Sequence, residues 1–550
     1  MTGGDAMIRS AVANGIDTVF GLPGAQIYAL FEGIRAAGVK LIVPRHEQTA
    51  GYMAMGYAKS TGKPAVFCVV PGPGVLNASA ALCTAMGNCS PVVCLTGQVP
   101  SEYLGKGRGH LHELPDQLAT LNSFIKQAVR IEDPLATSQV VNAAFRTART
   151  GRPGPVSVEM CWDTMSAPAA ITIEPGDFAV APPEIDLDSI EAAVRILAAA
   201  RRPMIFCGAG AQHAAEEVHA LAQTLTAPVT AFRSGRGVVA EDEALGIASV
   251  AARELWDDVD VAVGIGSRLE MPFMRWRNGM HYEARPSRCP TLIRIDIDPA
   301  EMARLIPDVA IVGDSAAACR LLADRLAANR RPDEARLGEI DAARGLARSL
   351  IEKIQPEAAY LDVIRRVLPR DGFFVPELSQ MGFASYTGAF PVLAPRTYVT
   401  EGYQGTLGFG FPTALGVKVA QPGKSVVSVT GDGGFMFAAQ ELATAAQFSI
   451  GLVTLVFNNG SFGNVLRDQQ QQFDGRVVGA ELANPDFLRL ADSFGVAARR
   501  VGSPAALESA LESALAADEP ALIEVAIEPG SEASPWPLIH MAQRPSQIRL

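Results

Sequence analysis

The sequence predicts an α/β protein built as three doubly wound parallel-sheet domains, and three observations predict it. Short apolar runs rich in Val, Ile and Phe alternate with longer helical stretches along most of the chain. That rhythm yields a parallel sheet covered by helices on both faces. Two stretches interrupt it and read as linkers: a Pro- and Ala-rich one from Ala167 to Pro183 and a charged one from Asn329 to Glu339. The rhythm of the first unit returns in the third, so two related domains are expected around a different middle one.

The first domain spans residues 1–165. Its strands are expected at Thr18–Phe20, Lys40–Val43, Ala65–Val70, Pro91–Thr96 and Pro155–Glu159, with helices at Glu47–Ser60 and Val75–Met86. The middle domain spans 186–326. There Pro203–Cys207 runs into Gly208-Ala209-Gly210, Val259–Val263 runs into Gly264-Ile265-Gly266, and Leu292–Asp296 is a later strand. The third domain spans 345–530 and holds the apolar runs Ser425–Thr430 and Gly451–Phe457. No short period runs through the chain, which excludes a solenoid.

Composition narrows the class further. A chain of 550 residues, 48% hydrophobic and 19% charged, is that of a large globular enzyme with well-filled cores. The net charge is −11 and no basic stripe appears, so nucleic acid and anionic membrane are poor partners. No apolar run is long enough to span a membrane, and the N-terminus lacks the charged and apolar regions of a signal peptide. The eight cysteines are scattered and none forms a CxxC pair, which suits reduced thiols and a cytoplasmic location.

The most specific chemistry lies in the third domain. Gly431-Asp432-Gly433 closes one apolar run and Asn458-Asn459 closes the other. Twenty-four residues lie between the two motifs, enough for the crossover that a parallel pair needs. Two buried strands then end side by side, each delivering a hard oxygen ligand. The Asp432 carboxylate and the Asn459 amide oxygen suit Mg²⁺ held between protein and phosphate. Gly433 and Gly434 let backbone N–H groups approach a diphosphate at a helix N-terminus. Gly-Asp-Gly alone is also a plain turn; the flanking strands and the distant Asn pair make it specific. In the first domain, Arg45-His46-Glu47-Gln48 sits where a strand gives way to a helix. A carboxylate there has a plain use in capping and charging the helix end.

Gly-Asp-Gly followed at this spacing by Asn-Asn resembles the thiamine diphosphate motif. His46-Glu47 is followed by Gly51–Ala58, Gly62-Lys63-Pro64, Gly72-Pro73-Gly74 and Asn77, a run that resembles the first domain of the acetolactate synthase and benzoylformate decarboxylase family. Val19–Gly24, Ile295–Pro299 and Glu401–Gly410 resemble further segments of that family, and Gly97–Pro100 resembles its acetolactate synthase branch. The likeness extends over nearly the whole chain. It implies pyrimidine-binding, central and diphosphate-binding domains in that order, with thiamine diphosphate and Mg²⁺ as cofactors. It places Glu47 against the aminopyrimidine ring, Gly24 in the opening turn of the cofactor site, and Leu407 as the apolar wedge that bends the cofactor. The Gly405 carbonyl would hold the cofactor amino group and Gln380 would lie near the diphosphate. Asp432, Asn459 and the Ser461 carbonyl would hold the metal, with Gly431, Gly433, Gly434 and Phe462 completing the cofactor-binding set. The implied reaction decarboxylates a 2-oxo acid and joins the product fragment to a second carbonyl. The implied assembly is a homodimer or homotetramer with the site at a subunit interface.

The sequence also departs from that pattern. Acetolactate synthases carry a glutamine in the loop after Gly97–Pro100, and His112 falls about there. His110 and His112 are therefore candidate acid–base residues; the plainer alternative is two loop histidines satisfied by backbone. Pyruvate decarboxylases place a histidine pair in an equivalent loop. The histidine and serine of benzoylformate decarboxylases align with Val70 and Ala25, and the tryptophan and arginine that acetolactate synthases use for the acceptor align with Asp468 and Pro272, while Arg268 is retained. The branched-chain biosynthetic role is thus not implied. The resemblance admits FAD in the central domain, but the third position of the dinucleotide fingerprint after Gly208-Ala209-Gly210 is His213, which reads as a strand-to-helix turn. Three other readings stand beside the carboligase: a non-oxidative 2-oxo acid decarboxylase, a flavin-linked oxidase, and a non-catalytic homologue serving regulation or assembly. The joint presence of Glu47, Asp432 and Asn459 speaks against the last.

Overall fold

Each of the three domains is organised on one parallel sheet. The computed structural model describes residues 1–176, 181–277, 283–284, 289–327 and 333–548. The first sheet holds β1 (Thr18–Gly21), β2 (Lys40–Ile42), β3 (Ala65–Val69), β4 (Val92–Gln98), β5 (Gln127–Ile131) and β6 (Val156–Cys161), in the order β2-β1-β3-β4-β6-β5. The second holds β7 (Pro203–Cys207), β8 (Val229–Ala231), β9 (Val261–Ile265), β10 (Thr291–Asp296) and β11 (Val309–Val312), in the order β11-β10-β9-β7-β8. The third holds β12 (Phe373–Pro376), β13 (Val426–Gly431), β14 (Val453–Asn458), β15 (Ala497–Val501) and β16 (Ala521–Ala526), in the order β12-β13-β14-β16-β15. Without β2, the first sheet winds in the same order as the third, and the middle sheet does not. The repeated rhythm in the sequence thus corresponds to a repeated topology.

The interior strands were readable because helices cover both faces and most positions are apolar. β3, β4 and β7 are buried throughout. β5 and β15 escape such a reading for the opposite reason. Both lie at a sheet edge, only part of each is buried, and Arg130, Arg499 and Arg500 break the apolar run. β9 begins two residues later than the apolar pattern suggests, because the Asp260 carboxylate accepts the Arg201 and Arg202 N–H groups at 2.6 and 2.9 Å.

The charged stretch from Asn329 to Glu339 is not a linker throughout. Residues 329–332 lie outside the described residues, but the helix Glu334–Ile351 begins inside it, with the Asp333 side chain accepting the Arg336 N–H at its N-cap. Its acids read as loop because an exposed first turn favours acidic groups as much as a loop does. The stretch from Ala167 to residue 176 holds no helix or strand beyond a bridge from Pro168 to Thr2, and residues 177–180 lie outside the described residues.

One helix pair joins the first domain to the third. The helix Glu47–Thr61 packs along the helix Gly410–Ala420. A Cβ at Gly56 would strike the Thr413 carbonyl, and one at Gly416 would strike the Met53 carbonyl. Each glycine lets the opposite backbone come close, which fixes where the Glu47 end of the first helix lies. All eight cysteines are free thiols. Among the described residues no helix is long and apolar enough to cross a membrane.

Candidate active site

β13 and β14 are neighbours, with Gly431 paired to Phe457, so their carboxyl ends are level. Asp432 opens the short helix Asp432–Phe435. It is 2% exposed, and burial pushes its carboxyl above the usual range. Its Oδ2 accepts the Asn484 Nδ2 amide at 2.6 Å, and the same amide lies 3.0 Å from Asn458 Oδ1. Asn484 therefore ties the two strand-end motifs together, a partner that no local pattern announced. Asn458 donates in turn to Glu524 Oε1 at 2.8 Å. Asn459 Oδ1 accepts the Ser461 N–H and hydroxyl, both at 3.0 Å, and its Nδ2 donates to Glu532 Oε2 at 2.6 Å. Asp432, Asn459 and Ser461 are thus brought to one sheet edge.

Two unpartnered donors lie beside this edge. Gln380 is 5% exposed; its Oε1 accepts from Arg467 Nη2 at 3.0 Å, but its Nε2 has no partner, and neither does Arg467 Nη1. Buried donors without acceptors call for a ligand that supplies them, and an anion such as a diphosphate does so. Gly463 stands at the same spot, where a Cβ would lie 2.7 Å from Asn459 Nδ2 and 3.3 Å from Gln380 Nε2. A Cβ at Gly433 would strike the half-buried Phe462 ring, and one at Gly434 the Glu377 carboxylate, whereas Gly431 meets only Ser379 Cβ at 3.4 Å. The turn is thus packed tightly from the protein side at Gly433 and Gly434 and has room at Gly431. Among the described residues no group of three His, Cys, Asp or Glu side chains is placed to hold a metal. A cation at Asp432 would need the amide and carbonyl oxygens and a phosphate to complete its shell, which is the donor set Mg²⁺ accepts. The residues present therefore fit both groups.

Glu47 is the first residue of its helix, but it is not the cap. His46 is: its Nδ1 accepts the Gln48 N–H at 3.1 Å. The half-buried Glu47 carboxylate instead accepts the Asn77 amide at 3.0 Å. The Arg45 N–H donates to both oxygens of Glu441 at 3.0 Å, so this end of the helix is fastened to the third domain. Gly405 adopts φ +62° in the loop before the helix Gly410–Ala420, and Leu407 is half-buried. Thr406 and Thr84 share a hydroxyl hydrogen bond at 2.9 Å, linking that loop to the first domain.

The two histidines separate in space. His110 stacks on Tyr103 at 4.9 Å between ring centroids, and its N–H donates to Glu113. His112 holds φ +65°, an unusual conformation for a residue with a Cβ. Its Nδ1 is 2.5 Å from Gln26 Oε1, while Gln26 Nε2 donates to the Leu111 carbonyl. The amide is thereby oriented oxygen to ring. His112 then carries its proton on Nδ1 and presents the Nε2 lone pair. Partial burial lowers its pKa and favours that neutral form. Gln26 is fully buried two residues after Gly24, where a Cβ would strike Val70. Its role was not visible from the sequence, because a glutamine beside a turn has no pattern of its own.

A cavity of about 530 Å³ lies against the central domain, lined by Gly208, Gly266, Arg268, Asp296, Gly313 and Tyr403 among others. Its size suits a small molecule or nucleotide. A Cβ at Gly208 would strike the Gly266 carbonyl, so these glycines serve the approach of one turn to another. The chain after Gly208 makes one 3₁₀ turn, Ala209–Ala211, and the next helix starts only at Ala215. The helix N-terminus of a dinucleotide fingerprint is absent there, and the residues do not themselves argue for FAD.

Comparison with known proteins agrees with this geometry. The N-terminal TPP binding domain of thiamine pyrophosphate enzymes matches residues 1–120, their central domain matches 190–322, and their C-terminal TPP binding domain matches 379–525. The chain is similar to a probable 2-ketoarginine decarboxylase of Pseudomonas aeruginosa, 33% identical over 96% of this chain and 94% of the relative. It is similar to a probable acetolactate synthase large subunit of Methanocaldococcus jannaschii, 32% identical over 97% of this chain and 93% of the relative. It is also similar to acetolactate synthase isozyme 3 large subunit of Escherichia coli, 30% identical over 94% of this chain and 92% of the relative. Three matched domains in their expected order and whole-length likeness lead to one conclusion: the chain belongs to the thiamine pyrophosphate enzymes and is acetolactate synthase-like.

Proposed function

We propose that this chain uses thiamine diphosphate and Mg²⁺ to decarboxylate a 2-oxo acid and to join the product fragment to a second carbonyl compound. The observation that carries the reading is the level pair of strand ends bearing Asp432 and Asn459, with the unpartnered donors of Gln380 and Arg467 beside them. Bound thiamine diphosphate supplies the nucleophilic carbon and electron sink that decarboxylation requires. The protein's part is to bind, orient and move protons. Gln380 and Arg467 take the diphosphate oxygens. Asp432, Asn459 and the Ser461 carbonyl hold the metal. Gly405 and Leu407 orient the cofactor, and Glu47 exchanges a proton with its pyrimidine ring. His112 Nε2 serves as acid or base at the substrate.

Two supports favour a subunit interface. Met436 and Phe437, directly after the diphosphate turn, are 42% and 54% exposed, and Leu76 and Leu111, beside Asn77 and His112, are 46% and 56% exposed. Apolar side chains that border both halves of a site suit a second copy of the chain. A second reading ends the reaction with a proton in place of a carbonyl acceptor; the His112 loop and the name of the Pseudomonas relative favour it. Release of CO₂ from a panel of 2-oxo acids, with products identified by mass, decides between them. Acyloin or acetohydroxy acid products support ligation, aldehydes alone support the second reading, and no CO₂ from any acid removes both.

A further inference from the structure

We infer that Glu377 is a positioning residue for the cofactor, the clamp that holds the Gly405–Gly410 loop against the Gly431–Gly434 turn. This rests on the thiamine diphosphate reading of the site. Glu377 directly follows β12 and is fully buried. Its own N–H donates to the Val429 carbonyl at 2.8 Å, so its backbone continues the β12–β13 ladder. Oε1 accepts the Gly408 N–H, and Oε2 accepts the Gly410 N–H at 3.2 Å and the Thr430 hydroxyl at 3.0 Å. Gly434 lies so close to the carboxylate that a Cβ there would strike it. One side chain thus touches three segments: the end of β12, the loop carrying Gly405 and Leu407, and the turn carrying Gly433 and Gly434.

Those segments address opposite ends of the cofactor in the proposed site, one the pyrimidine and wedge, the other the diphosphate. Their spacing is set by the carboxylate between them. The arrangement also demands a carboxylate. Three donors converge on two oxygens, whereas a glutamine offers one acceptor oxygen and an NH₂ that opposes the remaining donors. Burial opposes the charge, and donors aimed at it from two backbone amides and a hydroxyl offset only part of that cost.

The test pairs cofactor binding with amide exchange. In the cofactor-free protein, Glu377→Gln is expected to speed hydrogen exchange at the Gly408 and Gly410 amides by tenfold or more. It should weaken thiamine diphosphate binding, measured by calorimetry, by a similar factor, with a smaller loss of kcat at saturating cofactor. Thr430→Val, which removes one donor and keeps the carboxylate, should give the same pattern more weakly. Parent-like exchange and affinity in Glu377→Gln overturn the proposal. If that variant does not fold, parent-like exchange and affinity in Thr430→Val overturn it instead. A parent that binds no thiamine diphosphate removes the cofactor reading and the positioning role together. A parent that binds it while the variants match it removes only the role of Glu377.

Discussion

At the residue scale, the capping of the helix Glu47–Thr61 belongs to His46, which leaves the Glu47 carboxylate to serve a group outside its own helix. Its orientation comes from Asn77, on the next helix. Glu47→Gln keeps the shape and the hydrogen-bonding reach but cannot exchange a proton. It is expected to retain thiamine diphosphate and to slow exchange of the cofactor's thiazolium proton by roughly 10²–10⁴-fold; an unchanged exchange rate, followed by NMR, would make Glu47 a structural charge only. His112 carries a second expectation. Its lowered pKa puts the acid limb of any rate profile it controls below the ordinary imidazole range. His112→Ala should abolish that limb and alter the ratio of decarboxylation to ligation, while His110→Ala, which loses a stack on Tyr103, should change neither. The reverse pattern would transfer the role to His110. What the sequence revealed here and what it hid follow from the chemistry. Asp432 and Asn459 stood out because hard oxygen ligands closed two apolar runs. Asn484, Glu532, Arg467 and Gln26 are ordinary polar residues whose partners are distant in the chain, so only the fold brings them to the site.

At the scale of elements, burial decides what could be read. Interior strands showed themselves as unbroken apolar runs, while the edge strands β5 and β15 were hidden by their arginines. The helix Glu357–Val367 sets up a sharper conflict. Glu357 is its first residue, where the helix dipole favours an acid. Yet the side chain is fully buried, and neither oxygen has a hydrogen-bond partner among the described residues. Burial wins and pushes the carboxyl from 4.5 up to about 7. Between those two values the folded protein holds a proton that the unfolded chain has lost. Stability from this group is therefore complete below about pH 4.5 and declines as pH rises to about 7, after which the buried charge is a constant penalty. Glu377, raised to about 7 by burial, adds a decline in the same window. Glu357→Gln should stay within about 1 kcal/mol of the parent near pH 5 and exceed it at pH 8 by about 3 kcal/mol, since each tenfold change in proton affinity on folding is worth about 1.4 kcal/mol. Thermal midpoints of the two proteins from pH 5 to pH 8 provide the check. A difference that does not grow with pH would mean that Glu357 is charged or solvated in the folded state.

At the scale of the whole molecule, the first sheet apart from β2 winds in the same order as the third, and each of these two domains carries one half of the proposed chemistry: Glu47 in the first, Asp432 in the third. Within one chain the carboxylates share no partner, Glu47 bonding to Asn77 and Asp432 to Asn484. Exposed apolar side chains border both halves. If a second copy covers them, each site takes Glu47 from one chain and Asp432 from the other. Mixing chains that carry Glu47→Gln with chains that carry Asp432→Ala then has a numerical consequence. Each pure variant has only damaged sites. A mixed dimer has one site with both changes and one with neither. Random pairing at equal amounts makes half the dimers mixed, so about one quarter of all sites, and about one quarter of parental activity, should return. A site closed within a single chain returns nothing, because every chain then carries its own defect. Co-expression with two affinity tags isolates the mixed dimers, whose activity should reach about half that of the parent per dimer. Mixed dimers proven by mass and still inactive would place Glu47 and Asp432 in the same chain's site and would leave the exposed apolar border to some other contact.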